Sequence, residues 1–394
     1  MIIKRIKRKI LNIFQKREIP CIVSTNHNGN RKAIHLSAFT WGNAGDALLP
    51  VILRDLFSDY INVGKWTGIH VHKVVNNKDL ATYEKNDLIV IGGGGLFLCD
   101  TNRNNLSGWQ WSCSIDKLSK INKPIIGFAI GYNRFRGQED FQPIFRKHLN
   151  MFVEKAIFVG IRNHGSIEKL KGYLDTNELK AKLLYQPCMT TLISHIYPTL
   201  LDYKTKENYI GFNCAFDRKE LRASDYSFLY SIANVALELS KVAEIRYYSH
   251  VYSDKDALPY FDKLGVPYTL VEFRDVKQII KEYSKSRLII GMRGHAQMIP
   301  FGCLTPILSI VSHDKMRWFL DDIQHPEWGI DVNDTNFESE LKLKAIELYN
   351  RLDETVAELV AQQERLWNIT MDNMKKINKV LDEITPPSSP KHLI

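Results

Sequence analysis

Short apolar runs alternate with stretches of helical length over most of the chain, and this alternation limits the fold more than any other feature. A first series of strand-like runs is Lys32–Ala38, Ile69–Val75, Asp87–Ile91, Pro124–Ile130 and Ala156–Ile161. Helix-like stretches lie between them at Asp46–Ser58, Ser112–Lys120 and Phe141–Val153. A second series follows at Tyr209–Phe212, Glu244–Ser249, Tyr268–Glu272, Arg287–Gly291 and Pro306–Val311, with helices at Asp225–Leu239, Val276–Lys285 and His295–Phe301. Apolar strands separated by helices predict parallel sheets covered on both faces. The polar stretch Tyr197–Asn208 reads as the linker between two α/β halves. From Glu338 to Ile384 apolar residues such as Leu352, Leu359, Leu366 and Ile377 recur at helical spacing, which predicts a long terminal helical segment. The expected division is a basic segment 1–20, an N-terminal Rossmann-like domain 21–200, a C-terminal one 201–335, helices 336–385 and a disordered tail 386–394.

Length agrees with two domains, because single cores stop growing at roughly 250–300 residues and this chain has 394. The net charge of +9 is unevenly placed. Residues 1–20 hold seven Lys or Arg against Glu18, so +6 sits there and +3 is left for the rest. That distribution argues against a nucleic-acid surface on the body. The basic residues lie between Ile3, Ile6, Ile10, Ile13 and Phe14, which predicts an amphipathic helix, suited either to an anionic membrane surface through residues 1–17 or to packing on its own protein or standing as a solvated tail. No run of about 18 apolar residues predicts a membrane span, and no apolar core of a signal peptide follows the basic start. Six Cys without a C-x-x-C pair read as reduced thiols of a cytoplasmic protein. No convincing metal cluster is present.

Four junctions carry chemistry. Trp41-Gly42-Asn43-Ala44-Gly45-Asp46 follows a strand and opens a helix, with Asp46 expected as the N-cap. It is not G-x-G-x-x-G, so a nicotinamide cofactor is not indicated. Ile89-Val90-Ile91 runs into Gly92–Gly95, where backbone amides can line a pocket. No Gly-Lys-Ser/Thr follows, which disfavours ATP hydrolysis. Ile126–Ile130 ends in Gly131-Tyr132-Asn133, and Arg162 stands directly after the apolar Val159-Gly160-Ile161, where a charge is costly unless it meets an anion. The fourth is Leu288-Ile289-Ile290-Gly291-Met292-Arg293-Gly294-His295-Ala296. Arg293 and His295 there fall at a helix N-terminus, a combination suited to phosphate or carboxylate. Lys315 follows the next apolar strand and is placed to reach the same anion. His295 can exchange a proton near neutral pH.

In their order and spacing these motifs resemble the polysaccharide pyruvyl transferase family over about residues 35–325. The resemblance rests on Gly42-Asn43-Ala44-Gly45-Asp46, the Gly92–Gly95 strand end, Arg162 with Ser166, and Arg293-Gly294-His295-Ala296 with Lys315. It implies a GT-B-type fold: two Rossmann-like domains, a cleft between them, and a C-terminal helical segment crossing back to the first domain. It implies transfer of the enolpyruvyl part of phosphoenolpyruvate onto two hydroxyls of a sugar, in a bacterial-type surface polysaccharide or its lipid-linked precursor. The product is a pyruvate ketal, and phosphate is released. No cofactor is implied; phosphoenolpyruvate is the donor substrate.

By the same resemblance, Arg162, Arg293, Gly294, His295 and Lys315 are the donor-binding residues, and Arg293 and His295 the catalytic ones. Many members carry Leu where this chain has Gly294. Asn43, Asp46, Gly94, Gly95, Asn133 and Trp109, or Trp111, are the acceptor-side candidates, the tryptophans as stacking platforms. The implied location is the cytoplasm, peripheral on the inner membrane's cytoplasmic face. Two rivals stay open: a sugar-nucleotide-dependent GT-B glycosyltransferase of polysaccharide assembly, and a non-catalytic carbohydrate- or phosphate-binding subunit that keeps the fold.

Overall fold

The structure, a computed structural model, describes residues 29–39, 43–201, 206–222, 226–273 and 275–384. The expected basic helix of residues 1–20 and the tail 386–394 lie outside the described residues. Two six-stranded sheets are present, and every strand pairing in both is parallel. The first contains β1 (Arg31–Ser37), β2 (Val63–His70), β3 (Leu88–Phe97), β4 (Ile125–Tyr132), β5 (Ala156–Ile161) and β6 (Leu183–Tyr185), in the order β2-β1-β3-β4-β5-β6. Its helices are α1 (Ala44–Ile61), α2 (Asn77–Glu84), α3 (Ile115–Ser119), α4 (Pro143–Lys155), α5 (His164–Lys171) and α6 (Asn177–Ala181). A short helix, α7 (Ile193–Ile196), leads out of this unit.

The second sheet contains β7 (Tyr209–Asn213), β8 (Glu244–Ser249), β9 (Tyr268–Glu272), β10 (Leu288–Gly291), β11 (Ile307–Val311) and β12 (Gly329–Asp331), in the order β12-β11-β10-β7-β8-β9. Helices α8 (Ser227–Leu239), α9 (Leu258–Leu264), α10 (Val276–Lys285), α11 (His295–Gly302), α12 (Asp314–Asp322) and α13 (Phe337–Asn350) accompany it. The strand order reverses between β1 and β3 in one sheet and between β7 and β10 in the other. In open parallel sheets ligands bind at such reversals, outside the carboxyl ends of the strands.

The central strands β3, β4, β7, β10 and β11 are buried along nearly their whole length, as uninterrupted apolar runs require. The expected strand at Ile69–Val75 is instead β2, at Val63–His70. It is an edge strand, mostly half-buried, and its two glycines hide the apolar pattern. Only Ile115–Ser119 of the expected helix Ser112–Lys120 is helical.

Helix α14 (Leu352–Ile384) joins the halves. About a third of the way along it, Gln363 donates to the Phe301 carbonyl of the second unit. Further on, the Asn373 amide donates to Tyr185 O at 2.8 Å, and Arg31 pairs with Asp382 at 2.5 Å, both in the first unit. The helix buries Leu366, Met374, Ile377 and Leu381 along one face. It therefore crosses back onto the first unit.

Candidate active site

A cavity of about 270 Å³ lies where the carboxyl ends of the two sheets face each other. From the first unit it is lined by Asn43, Asp46, Gly94, Gly95, Asn133 and Arg162, and from the second by Arg293, Gly294, His295 and Lys315. All the expected site residues except the tryptophans thus converge on one space. Trp109 and Trp111 are 1% and 0% exposed, and the Trp109 indole N–H donates to His148 Nδ1 at 2.9 Å. They are core residues of the first unit and cannot stack on a sugar. Their apolar area is large enough that packing it inside is favoured over leaving it at a cleft.

Asn43, not Asp46, caps α1: its side chain accepts from Gly45 N at 3.0 Å. Asp46 falls in the first turn and faces the cavity. Burial raises its carboxyl to about 7, although Arg293, Lys315 and Arg162 nearby pull the other way. Two glycines permit close approach. A Cβ on Gly45 would lie 2.0 Å from His295 Nδ1, and one on Gly131 would lie 2.4 Å from an Arg162 guanidinium nitrogen. His295, carried by the second unit, therefore inserts against the first, with its Nε2 3.8 Å from Cys188 Sγ. Burial, then Arg162, Lys315, His250 and Arg293, hold its pKa well below the usual value, so the imidazole is neutral.

The cations divide into two sets. Arg293 is clamped by Asp254 (Nε to Oδ1, 2.8 Å) and by Asp217 at 2.5 Å. Arg222 pairs with Asp217 at 3.2 Å and Arg218 with Asp100 at 2.5 Å. Arg293 is thus not the free fork for an anion that the sequence suggests. It braces the β10–α11 turn, while its charge still reaches the cavity. Arg162 and Lys315 are different: among the described residues no carboxylate forms an ion pair with either. Arg162 is 5% exposed, and its Nε is buried without a hydrogen-bond partner. Burial, then Arg162 and Arg222, lowers the Lys315 amine to about 7. Leaving a buried guanidinium unpaired is costly, and a bound anion removes that cost.

Gly294 lies in right-handed helical backbone, and a Cβ there would make ordinary contact with Lys315 at 3.6 Å. A larger residue fits, so Gly294 widens the cavity rather than relieving strain. Sequence reasoning missed Gln110, Phe135, Asp217, Arg218, Arg222, His250 and His313 as lining residues. Asp217, His250 and His313 all follow soon after strand ends, which is the signal that could have found them. Among the described residues no group of three or more His, Cys, Asp or Glu is placed to hold a metal ion.

Comparisons with known proteins agree with this architecture. The chain superposes on UDP-GlcNAc 2-epimerase from Neisseria meningitidis with a TM-score of 0.53 at 11% identity, covering 89% of this chain and 100% of that one. A putative UDP-N-acetylglucosamine 2-epimerase from Listeria monocytogenes gives 0.56 at 11% identity, over 92% and 99%. The S. aureus MnaA structure with UDP gives 0.54 at 13% identity, over 90% and 97%. At these identities the likeness is one of fold alone, the GT-B type. No curated protein matches the sequence. The polysaccharide pyruvyl transferase family model matches residues 43–314, from the Asn43 cap through His295 to the residue before Lys315. With most of its length matched, the chain belongs to the polysaccharide pyruvyl transferase family.

Proposed function

We propose that this enzyme moves the enolpyruvyl group of phosphoenolpyruvate onto two hydroxyls of a sugar in a surface polysaccharide or its lipid-linked precursor. A cyclic pyruvate ketal forms and phosphate is released. The observation that carries this reading is a pair of cations on the cavity wall, the buried Arg162 and the half-buried Lys315, that form no ion pair with a carboxylate among the described residues and lie beside His295 at the start of α11. A small donor with a phosphate and a carboxylate matches two cations better than a neutral sugar does. Arg offers the planar fork for one group and Lys a point charge for the other.

The proton balance assigns roles. Asp46 holds a proton near neutral pH and delivers it to the donor's methylene carbon, while a sugar hydroxyl attacks the adjacent carbon. The hydroxyl's proton then returns to the Asp46 carboxylate. Phosphate leaves with a hydrogen bond from the neutral His295. The second hydroxyl closes the ring, and its proton passes to phosphate. Two groups whose environments push their pKa values in opposite directions suit such a division. General acid–base catalysis is typically worth about 10²–10⁴-fold. Asp46→Asn and His295→Ala should each lower kcat by that order with donor binding retained, measured by mass of the pyruvylated product. Near-full turnover in either variant removes that residue from the mechanism.

Thermal-shift titration tests the donor, because stabilisation follows affinity. Phosphoenolpyruvate should raise the melting temperature and sugar nucleotides should not. A shift with sugar nucleotides only favours the glycosyltransferase reading and overturns this one. The basic residues 1–17 support peripheral attachment at an anionic cytoplasmic membrane surface, where a lipid-linked acceptor would be held.

A further inference from the structure

A second cavity, of about 360 Å³, opens beside the first and shares Asn43 and His250 with it. Its far wall holds two aromatic residues, Tyr252 and Phe273, and two carboxylates, Glu272 and Asp275. Tyr252 is 82% exposed, the most exposed large apolar side chain among the described residues. Lys255 stands 5.4 Å over its ring and ion-pairs with Glu272, which ties the three side chains together. Phe273 is held by Tyr248, 5.7 Å away and stacked. Asp275 caps α10, accepting from Gln278 N at 2.9 Å. His250 is 3% exposed, and its Nε2 meets the Tyr283 hydroxyl. Its Nδ1 is buried without a partner, in the wall between the two cavities.

We propose that this second cavity holds the neutral saccharide of the acceptor beyond the unit that is modified. The modified unit reaches the first cavity past Asn43 and His250. Aromatic faces bind the apolar faces of sugar rings, and carboxylates accept hydrogen bonds from hydroxyls. Among the described lining residues a nucleoside diphosphate would meet two carboxylates and no Lys or Arg, which favours a neutral glycan over a nucleotide. The buried His250 Nδ1 is the polar atom left to bond a hydroxyl between the two cavities. The acceptor site is therefore not confined to the first unit; its outer part is built by the loops after β8 and β9.

This inference rests on the pyruvyl-transfer reading, but its test does not. The full-length protein is applied, without phosphoenolpyruvate, to an array of neutral oligosaccharides of one to four units, with UDP as a separate probe. At least one glycan of two or more units should bind. Tyr252→Ala should bind it roughly 3- to 10-fold more weakly. Leu343→Ala, an exposed site elsewhere, should bind as the unmodified protein does. Three results overturn the proposal: no glycan binds, Tyr252→Ala binds unchanged, or Tyr252→Ala loses binding of UDP instead. A failed donor thermal shift with glycan binding intact overturns only the pyruvyl donor.

Discussion

At the scale of single residues, the site depends on small side chains as much as on charged ones. Gly45 lies in the first turn of α1, where Ala would ordinarily be better by up to about 1 kcal/mol. Here a methyl group would occupy the space of the His295 ring, at 2.0 Å from Nδ1. Gly45→Ala should therefore lower kcat by at least about 10²-fold and, by overpacking, cost about 1–3 kcal/mol of stability. An unchanged kcat would show that His295 is free to relocate. Arg162 was legible from sequence because a lone charge after Val159-Gly160-Ile161 needs a reason. Trp109 was misjudged for the opposite reason. A tryptophan in a polar loop looks exposed in sequence, and only the fold shows Phe97, Phe152 and His148 around it.

At the scale of elements, the strand ends deliver the chemistry and α14 holds the two sheets in register. Its inward residues were legible as a helical stripe; the surface they cover was not. Ile377 is 1% exposed against the first unit, and truncation of a buried Ile typically costs about 2–5 kcal/mol. Ile377→Ala should show that loss in denaturant unfolding, whereas Lys375→Ala, whose side chain is 78% exposed, should stay within about 0.5 kcal/mol. Equal effects would mean that α14 does not dock as described. The loops after β8 and β9 were not legible as site elements. Their residues carry no motif, and only the fold brings them opposite Asn43, Ala44 and Ala47 of the first unit.

At the scale of the whole molecule, ion pairs span the cleft: Arg218 with Asp100 at 2.5 Å, Arg136 with Asp331 at 2.6 Å and His164 with Asp322 at 2.8 Å. They tie the two halves together across the cleft. Electrostatics then links donor binding to pH. The Lys315 amine, held near 7 when the cavity is empty, rises when a dianion binds beside it, so binding takes up a proton. Asp46, also near 7, shifts in the same direction. Phosphoenolpyruvate affinity should be full below about pH 7 and fall above it, by about tenfold per unit for each proton. Calorimetry in buffers of different ionisation enthalpy should show net proton uptake at pH 7.5; proton release would refute this linkage. Deleting residues 1–17 should abolish flotation with anionic vesicles and leave soluble-acceptor turnover intact; unchanged flotation would discard the anchor.

By itself, the sequence determined that the chain forms two parallel-sheet units and which strand ends carry Asn43, Arg162, Arg293, His295 and Lys315. Hydrophobic period and strand-end chemistry are local properties that need no partner. The tertiary structure alone decided which cations are neutralised. Asp254 and Asp100 are distant in sequence from Arg293 and Arg218, yet they claim them, and Asp217 bridges its neighbour Arg222 to the remote Arg293. Burial and pairing are set by what packs opposite, and that is why Arg293 is held by carboxylates while Arg162 and Lys315 face the cavity without an ion pair among the described residues.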